Sequence, residues 1–171
     1  MAIVGSSGAG KSWLGRRVAA RLGVPYVELD AIHHQAGWVA LPADEMRDRL
    51  DAACPTDGAW VADGNYDAKG GDLLRARADT VVWLDLPRHV VMRRLGRRTS
   101  RRLVTRQALW NGNRESLRYA LALNPRRSVL LWAWQHHEPL RRSYESQMDS
   151  RWVRLSNAAE VERWLERVRP G

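Results

Sequence analysis

The sequence predicts a parallel three-layer α/β fold, and three observations carry that reading. A glycine-rich turn, Gly5-Ser6-Ser7-Gly8-Ala9-Gly10-Lys11-Ser12, follows a short apolar run and opens a helical segment. Apolar runs of strand length then alternate with amphipathic helical stretches to the end of the chain. With 171 residues and 44% hydrophobic content, the chain suits one domain, 1–171, with a sizeable core and no visible repeat or linker.

Taken in order, Ala2 to Gly5 forms a first strand that is short for the centre of a sheet. The glycines at 5, 8 and 10 let the following backbone curl, so that successive N–H groups aim at phosphate oxygens. Lys11 then reaches β- and γ-phosphates, the Ser12 hydroxyl suits Mg²⁺, and the helix beginning at Lys11 adds the positive end of its dipole. That helix runs to Leu22, with Trp13, Leu14, Val18, Ala19 and Leu22 on one face and Arg16, Arg17 and Arg21 on the other; Gly23 ends it and Pro25 blocks continuation. Tyr26 to Leu29 reads as the second strand. It leads into Asp30 and a polar, aromatic loop through His33, His34 and Trp38, at the strand end where open α/β sheets place ligands.

Pro42 to Cys54 reads as a helix with Met46, Leu50 and Ala53 inward, Ala59 to Asp63 as the third strand, Asp72 to Ala78 as a short helix and Thr80 to Asp85 as the fourth strand. Further helices are expected over Val90 to about Leu103, around Glu115–Leu123 and over Ser128–Met148, where Pro139 should kink or divide the last. Trp152 to Leu155 is the fifth strand. Ser156 and Asn157 cap a final helix, Ala158 to Val168, with Val161, Trp164, Leu165 and Val168 inward. Most of the nine tryptophans fall on apolar-periodic positions and are expected in the core.

Charge is distributed unevenly. The formal balance is +9, and Lys11 and Lys69 are the only lysines among 28 basic residues. Residues 88–142 hold fourteen arginines against Glu115 and Glu138, a local balance of +12. The single Cys54 excludes an intrachain disulfide and a cysteine-based metal site, which fits a reducing compartment, so a cytoplasmic protein is expected. The N-terminal apolar stretch is too short for a signal peptide. No run approaches membrane-spanning length, and the mean hydropathy is −0.49.

The phosphate loop, Val61-Ala62-Asp63-Gly64, Val82-Trp83-Leu84-Asp85-Leu86-Pro87 and the arginines from Arg93 to Arg102 together make the chain resemble the small P-loop kinases. That group includes adenylate, shikimate and gluconate kinases. More narrowly, it resembles the adenylate-kinase-like proteins labelled DNA topology modulation proteins, on the run from Leu29 to Trp38, on Asp63-Gly64-Asn65-Tyr66 and on Leu109-Trp110-Asn111-Gly112-Asn113-Arg114-Glu115. The resemblance spans nearly the whole chain. It implies a P-loop NTPase core of five parallel strands, nucleoside-monophosphate-kinase-like, with an acceptor-binding segment at about 30–58 and an arginine-rich lid at about 93–127.

It also implies roles for residues. Asp63 takes the position that holds Mg²⁺ alongside Ser12, with Asp85 as the rival. Arg94 and Arg98, four apart on one helix face, match the lid-hinge arginines, followed by Arg102 and Arg126; cations are needed there because phosphoryl transfer rests on neutralising the moving group. Asp30 matches the aspartate that orients a hydroxyl acceptor and takes its proton. His33, His34, Trp38, Arg47, Gly64, Asn65 and Tyr66 complete the expected acceptor side. Ser156 and Asn157 should lie near the adenine of ATP.

The leading expectation is an ATP- and Mg²⁺-dependent kinase acting on a small hydroxylated or nucleotide-like acceptor. A nucleoside monophosphate kinase is the alternative. The arginine that such enzymes carry after the third strand is missing here, where the run is Gly64-Asn65-Tyr66-Asp67, and Asp67 would repel an anion, although Arg47 and Arg49 stand on the acceptor helix. A regulatory NTPase bound to nucleic acid is a third reading, motivated by the +12 segment. Oligomeric state, and ATP versus GTP preference, are not encoded in any recognisable motif.

Overall fold

A computed structural model describes residues 1–116 and 128–169. Five parallel strands, β1 (Ala2–Gly5), β2 (Tyr26–Glu28), β5 (Val61–Asp63), β6 (Val81–Leu84) and β7 (Trp152–Leu155), form one sheet in the order β2-β5-β1-β6-β7. The register pairs Ile3 with Asp63 on one side and with Val82 on the other, so β1 is central.

Both sheet faces are buried, as crossover connections require. Alternation divides the strands between two cores. Ala2, Val4, Ala62, Val81 and Trp83 point to one face and pack with α3 (Ala43–Ala53), α4 (Gly71–Arg77) and α6 (Val129–Gln147), where Met46, Leu50, Leu74 and Tyr144 are buried. Ile3, Val61, Val82 and Leu84 point to the other and meet α1 (Lys11–Leu22), α5 (Arg88–Thr105) and α7 (Ala158–Arg167) through Leu14, Val18, Val91, Val161 and Leu165.

Several expectations need correction. The second strand stops at Glu28, and the stretch after it is not a loop: Leu29–His33 forms α2, and His34–Gln35 (β3) pairs antiparallel with Val39–Ala40 (β4). Gly37 and Trp38 take positive φ to make that turn, and Gln35 ties its amide to the Ile32 carbonyl. Pro139 does not divide α6, which runs unbroken. Pro139 and Gln135 four residues before it are exposed, so the carbonyl that the missing N–H leaves free faces water. The helix expected at Glu115–Leu123 lies mostly outside the described residues, and Glu115 and Ser116 are not helical.

The tryptophans also differ from expectation. Trp60 and Trp83 are buried, whereas Trp13 and Trp134 are exposed under Arg17 and Arg88 at 4.3 and 4.9 Å. An indole beside arginine gains from cation–π contact without entering the core.

Candidate active site

At the carboxyl end of β1 the turn from Gly5 to Gly10 leads into α1. Gly5, Gly8 and Gly10 have φ of +142°, +93° and +106°. A Cβ at Gly5 would sit 2.7 Å from the Leu84 carbonyl oxygen, and one at Gly8 2.9 Å from that of Val91, so only glycine fits. Ser6 is buried and its carbonyl accepts from Ala9 N at 3.0 Å. Ser7 completes the turn. No side chain caps the N-terminus of α1 and no acidic residue stands in its first turn, which leaves the positive end of the dipole toward the loop.

Lys11 donates to the carbonyls of Gly5 at 2.8 Å and Ser6 at 3.3 Å. Burial pulls its pKa down, while Asp63 and Asp30 push it back up. Asp63 ends β5 beside it and is 3% exposed; burial raises its pKa to about 6 against the opposing pull of Lys11 and Ser12. Its Oδ2 is buried without a hydrogen-bond partner among the described residues. Asp85, the rival metal ligand, is held by Arg154 at 2.5 and 2.8 Å and approached by Arg141 at 3.3 Å. It belongs to an ion cluster that also includes Glu145.

Two arginines of α5 reach this loop. Arg94 donates to the Ala9 carbonyl at 3.2 Å and lies 3.7 Å from where a Gly10 Cβ would be. Arg98 has a buried Nε with no partner among the described residues. Burial and then Arg102 lower its pKa, opposed by Glu115, Asp30 and Glu28. Arg98 is thus a half-buried cation in the field of Lys11, and among the described residues no carboxylate binds it. Arg102 instead pairs with Glu115 at 2.9 Å and lies 5.9 Å from the Trp110 ring.

The expected acceptor side is assembled from α2, the β3–β4 hairpin, the segment after β5 and the segment after α5. Tyr66 donates to Asp30 Oδ1 at 2.6 Å and stands 3.4 Å from His34 Nε2. Its ring lies 4.4 Å from His33, which in turn contacts His34 at 4.8 Å. His34 stacks with Trp110 at 5.5 Å and meets Trp38 at 5.2 Å. Burial, reinforced by Lys69, drives the His33 pKa down to about 4 and lowers that of His34, so both rings are neutral at pH 7.

Side-chain amides fasten the segment after α5 to this side. Asn111 donates to the carbonyls of His34 at 2.6 Å and Ala31 at 3.3 Å; Asn113 donates to Gln35 O and accepts from Trp38 N, both at 2.9 Å. The Trp38 indole donates to Arg114 O at 3.1 Å. Asn111 sits at φ +54°, a conformation asparagine tolerates better than most residues.

The structure therefore brings Asp30, His33, His34, Trp38 and Tyr66 together, with Lys11, Asp63 and Arg98 in the electrostatic field of Asp30 and Arg94 on the glycine turn. Gly64, at φ +146°, lets the chain pass Leu29, whose Cβ would lie 2.6 Å from an added Cβ. Asn65 does not join the acceptor group; its side chain bonds the Gly5 peptide. Arg47 is exposed, with its stem against Gly70. Ser156 N and Asn157 engage Glu160 in a reciprocal cap of α7. Arg126 lies outside the described residues.

Sequence reasoning gave no role to Asn111, Asn113, Lys69 or Arg75. The Asn-Gly-Asn run was visible as a turn signal, and Lys69 as one of two lysines, here donating to Leu41 O at 2.7 Å. Asp67, expected to repel an anion, is bound by the buried Arg75 at 2.6 Å.

The fold matches that of known proteins. A gluconokinase from Sinorhizobium meliloti aligns over 96% of the chain and 92% of its own, with a TM-score of 0.54 and 19% identity. A shikimate kinase from Acinetobacter baumannii, solved in complex with shikimate, aligns over 98% and 88% with the same TM-score and 17% identity. The fold is that of the P-loop kinases. Curated relatives include the shikimate kinases of Bradyrhizobium diazoefficiens, 33% identical over 117 residues that cover 60% of this chain and 56% of that protein, and of Rhodopseudomonas palustris, 31% identical over 118 residues covering 60% and 57%. The chain spans just over half the length of the curated relatives it matches, and no family model matches it. Among the described residues, no helix is long and apolar enough to cross a membrane.

Proposed function

We propose that this chain is an ATP-dependent kinase that transfers the γ-phosphoryl group to a hydroxyl of a small acceptor. One observation carries the reading: two cations, Lys11 and Arg98, lie in each other's field with no carboxylate bound to either among the described residues, and near them stands Asp30, held in place by Tyr66. Buried uncompensated cations are costly unless an anion completes them. The triphosphate is that anion, bound by the glycine turn, the start of α1, Lys11 and Arg94.

Ser12 and the unpartnered Asp63 Oδ2 are oxygen donors suited to Mg²⁺, which when bound would neutralise the phosphate oxygens. The chain's own groups do the rest. Asp30 accepts the proton of the acceptor hydroxyl, whose oxygen forms a bond to the γ-phosphorus. The bond from that phosphorus to the β–γ bridging oxygen breaks, and ADP leaves with its electron pair. Arg98 stabilises the charge on the transferring group, and the neutral imidazoles with Trp38 and Trp110 wall the acceptor.

The relatives named shikimate kinase support a hydroxyl acceptor. Lys69, beside His33 and His34, is a cation available to a carboxylated one. An ADP-release screen with ATP and Mg²⁺ tests the reading against shikimate, gluconate, other hydroxylated metabolites, nucleosides and nucleoside monophosphates. Turnover with a hydroxyl acceptor is the expected result; turnover only with monophosphates would replace it by the nucleotide kinase alternative.

A further inference from the structure

We infer that Asn65 is a positioning residue of the nucleotide side, holding the Gly5 carbonyl so that Lys11 can leave it for phosphate. The ladder between β1 and β5 ends where Gly64 N donates to Ile3 O at 3.3 Å. Beyond it the chain turns away, and the Asn65 side chain supplies the next rung: Oδ1 accepts from Gly5 N at 3.3 Å and Nδ2 donates to Gly5 O at 2.9 Å. A primary amide carries both the donor and the acceptor of a peptide group, so it can continue a ladder that the backbone has left.

Gly5 O also receives the Lys11 ammonium at 2.8 Å, giving it two donors for its two lone pairs. These donors are not equivalent. Asn65 is fixed at both ends, whereas Lys11 rests on two neutral carbonyls, which a phosphate outbids through charge. When Lys11 moves to a nucleotide, Gly5 O, in a buried turn, keeps Asn65. Without Asn65 every binding event would orphan that carbonyl, and the desolvation cost would be charged against nucleotide affinity. The inference rests on the nucleotide reading above.

The test is a double-variant cycle on the whole chain, measuring binding of a non-hydrolysable ATP analogue with Mg²⁺ by calorimetry. Asn65→Asp keeps the acceptor for Gly5 N but replaces the donor by an anion that retains the ammonium. It should weaken binding at least tenfold, and Asn65→Ala about tenfold. In a Lys11→Ala background the same changes should cost less than twofold, because nothing then has to leave Gly5 O. Thermal unfolding without nucleotide gives a second cycle that does not depend on weak binding. Two donors sharing one carbonyl must be non-additive, with the double Ala variant less stable than the sum of the two single changes, whatever the sign of the Lys11 change. Equal affinity losses in both backgrounds, or additive unfolding losses, would overturn the role and leave Asn65 a structural residue. No analogue binding by the unaltered chain would overturn the nucleotide reading itself, and this inference with it.

Discussion

On the nucleotide side the groups that face a ligand are cations, backbone N–H groups and a carboxylate oxygen without a partner; on the acceptor side they are rings and one carboxylate already bonded to each other. Lys11 rests on neutral carbonyls and Arg98 Nε on nothing among the described residues, whereas Asp30, Tyr66 and His34 form a connected set. Under the proposed function, the difference follows from what each side would recognise. A polyphosphate is bound by charge, so the protein keeps cations uncompensated, at a cost in stability. A small hydroxylated molecule offers little charge, so it is recognised by shape and by a few oriented hydrogen bonds.

The largest effect expected from this contrast is at Lys11. Lys11→Ala should lower turnover by at least about 10³-fold, since electrostatic stabilisation of the transferring group carries most of the catalysis. It should leave the thermal midpoint unchanged or raise it, because a partly buried ammonium without a bound carboxylate is removed. Normal ATP turnover by this variant would sink the assignment of the two sides.

Asp30→Asn should act on the other side alone. Turnover should fall on the order of 10²- to 10⁴-fold with loss of the base, while affinity for Mg²⁺ and ATP stays within about twofold. Tyr66→Phe removes the 2.6 Å bond but keeps the ring against His33, so a loss of about tenfold in turnover is expected. Nucleotide affinity falling in parallel with turnover in either variant would show that the sides are not separable.

The contrast also explains what was legible in the sequence. The phosphate loop works through backbone conformation and one lysine, all within Gly5 to Ser12, so local pattern and φ requirements reveal it. The sheet is likewise legible, since strand alternation and crossover helices are local. Acceptor-side contacts join residues far apart in the chain: Trp38 meets Asn113 and Asn111 meets His34, and no periodicity records such pairings. The same holds for the two aspartates. Asp63 ends β5 and Asp85 directly follows β6, and only the arrival of Arg154 and Arg141 from distant segments commits Asp85 to an ion cluster.

Asn113→Ala tests those long-range pairings. It leaves Trp38 N and Gln35 O without their bonds at a buried position, which should cost roughly 1–3 kcal/mol of stability and raise the acceptor KM several-fold. The KM for ATP should stay constant. Asp85→Asn should cost about 2 kcal/mol of stability, measured by denaturant unfolding, with less than twofold change in nucleotide affinity. A collapse of Mg²⁺-dependent binding in that variant would return Asp85 to the metal site.

The smallest expected effect separates the two sides by sign. Burial raises the Asp63 pKa to about 6, so between about pH 4 and 6 the folded chain holds a proton that the unfolded chain releases, and this group's contribution to stability declines as pH rises through that window. Burial lowers the His33 pKa to about 4, while an unfolded histidine protonates near 6.5; its contribution therefore declines as pH falls from about 6.5 to 4. The two oppose each other over nearly the same range, and the unaltered, nucleotide-free chain should show little net slope from this pair. Asp63→Asn should unmask a fall in thermal midpoint on acidification, and His33→Gln should unmask a rise. Identical profiles for the two variants would mean that neither group is held in the protonation state its surroundings impose, and would remove the electrostatic distinction between the nucleotide and acceptor sides.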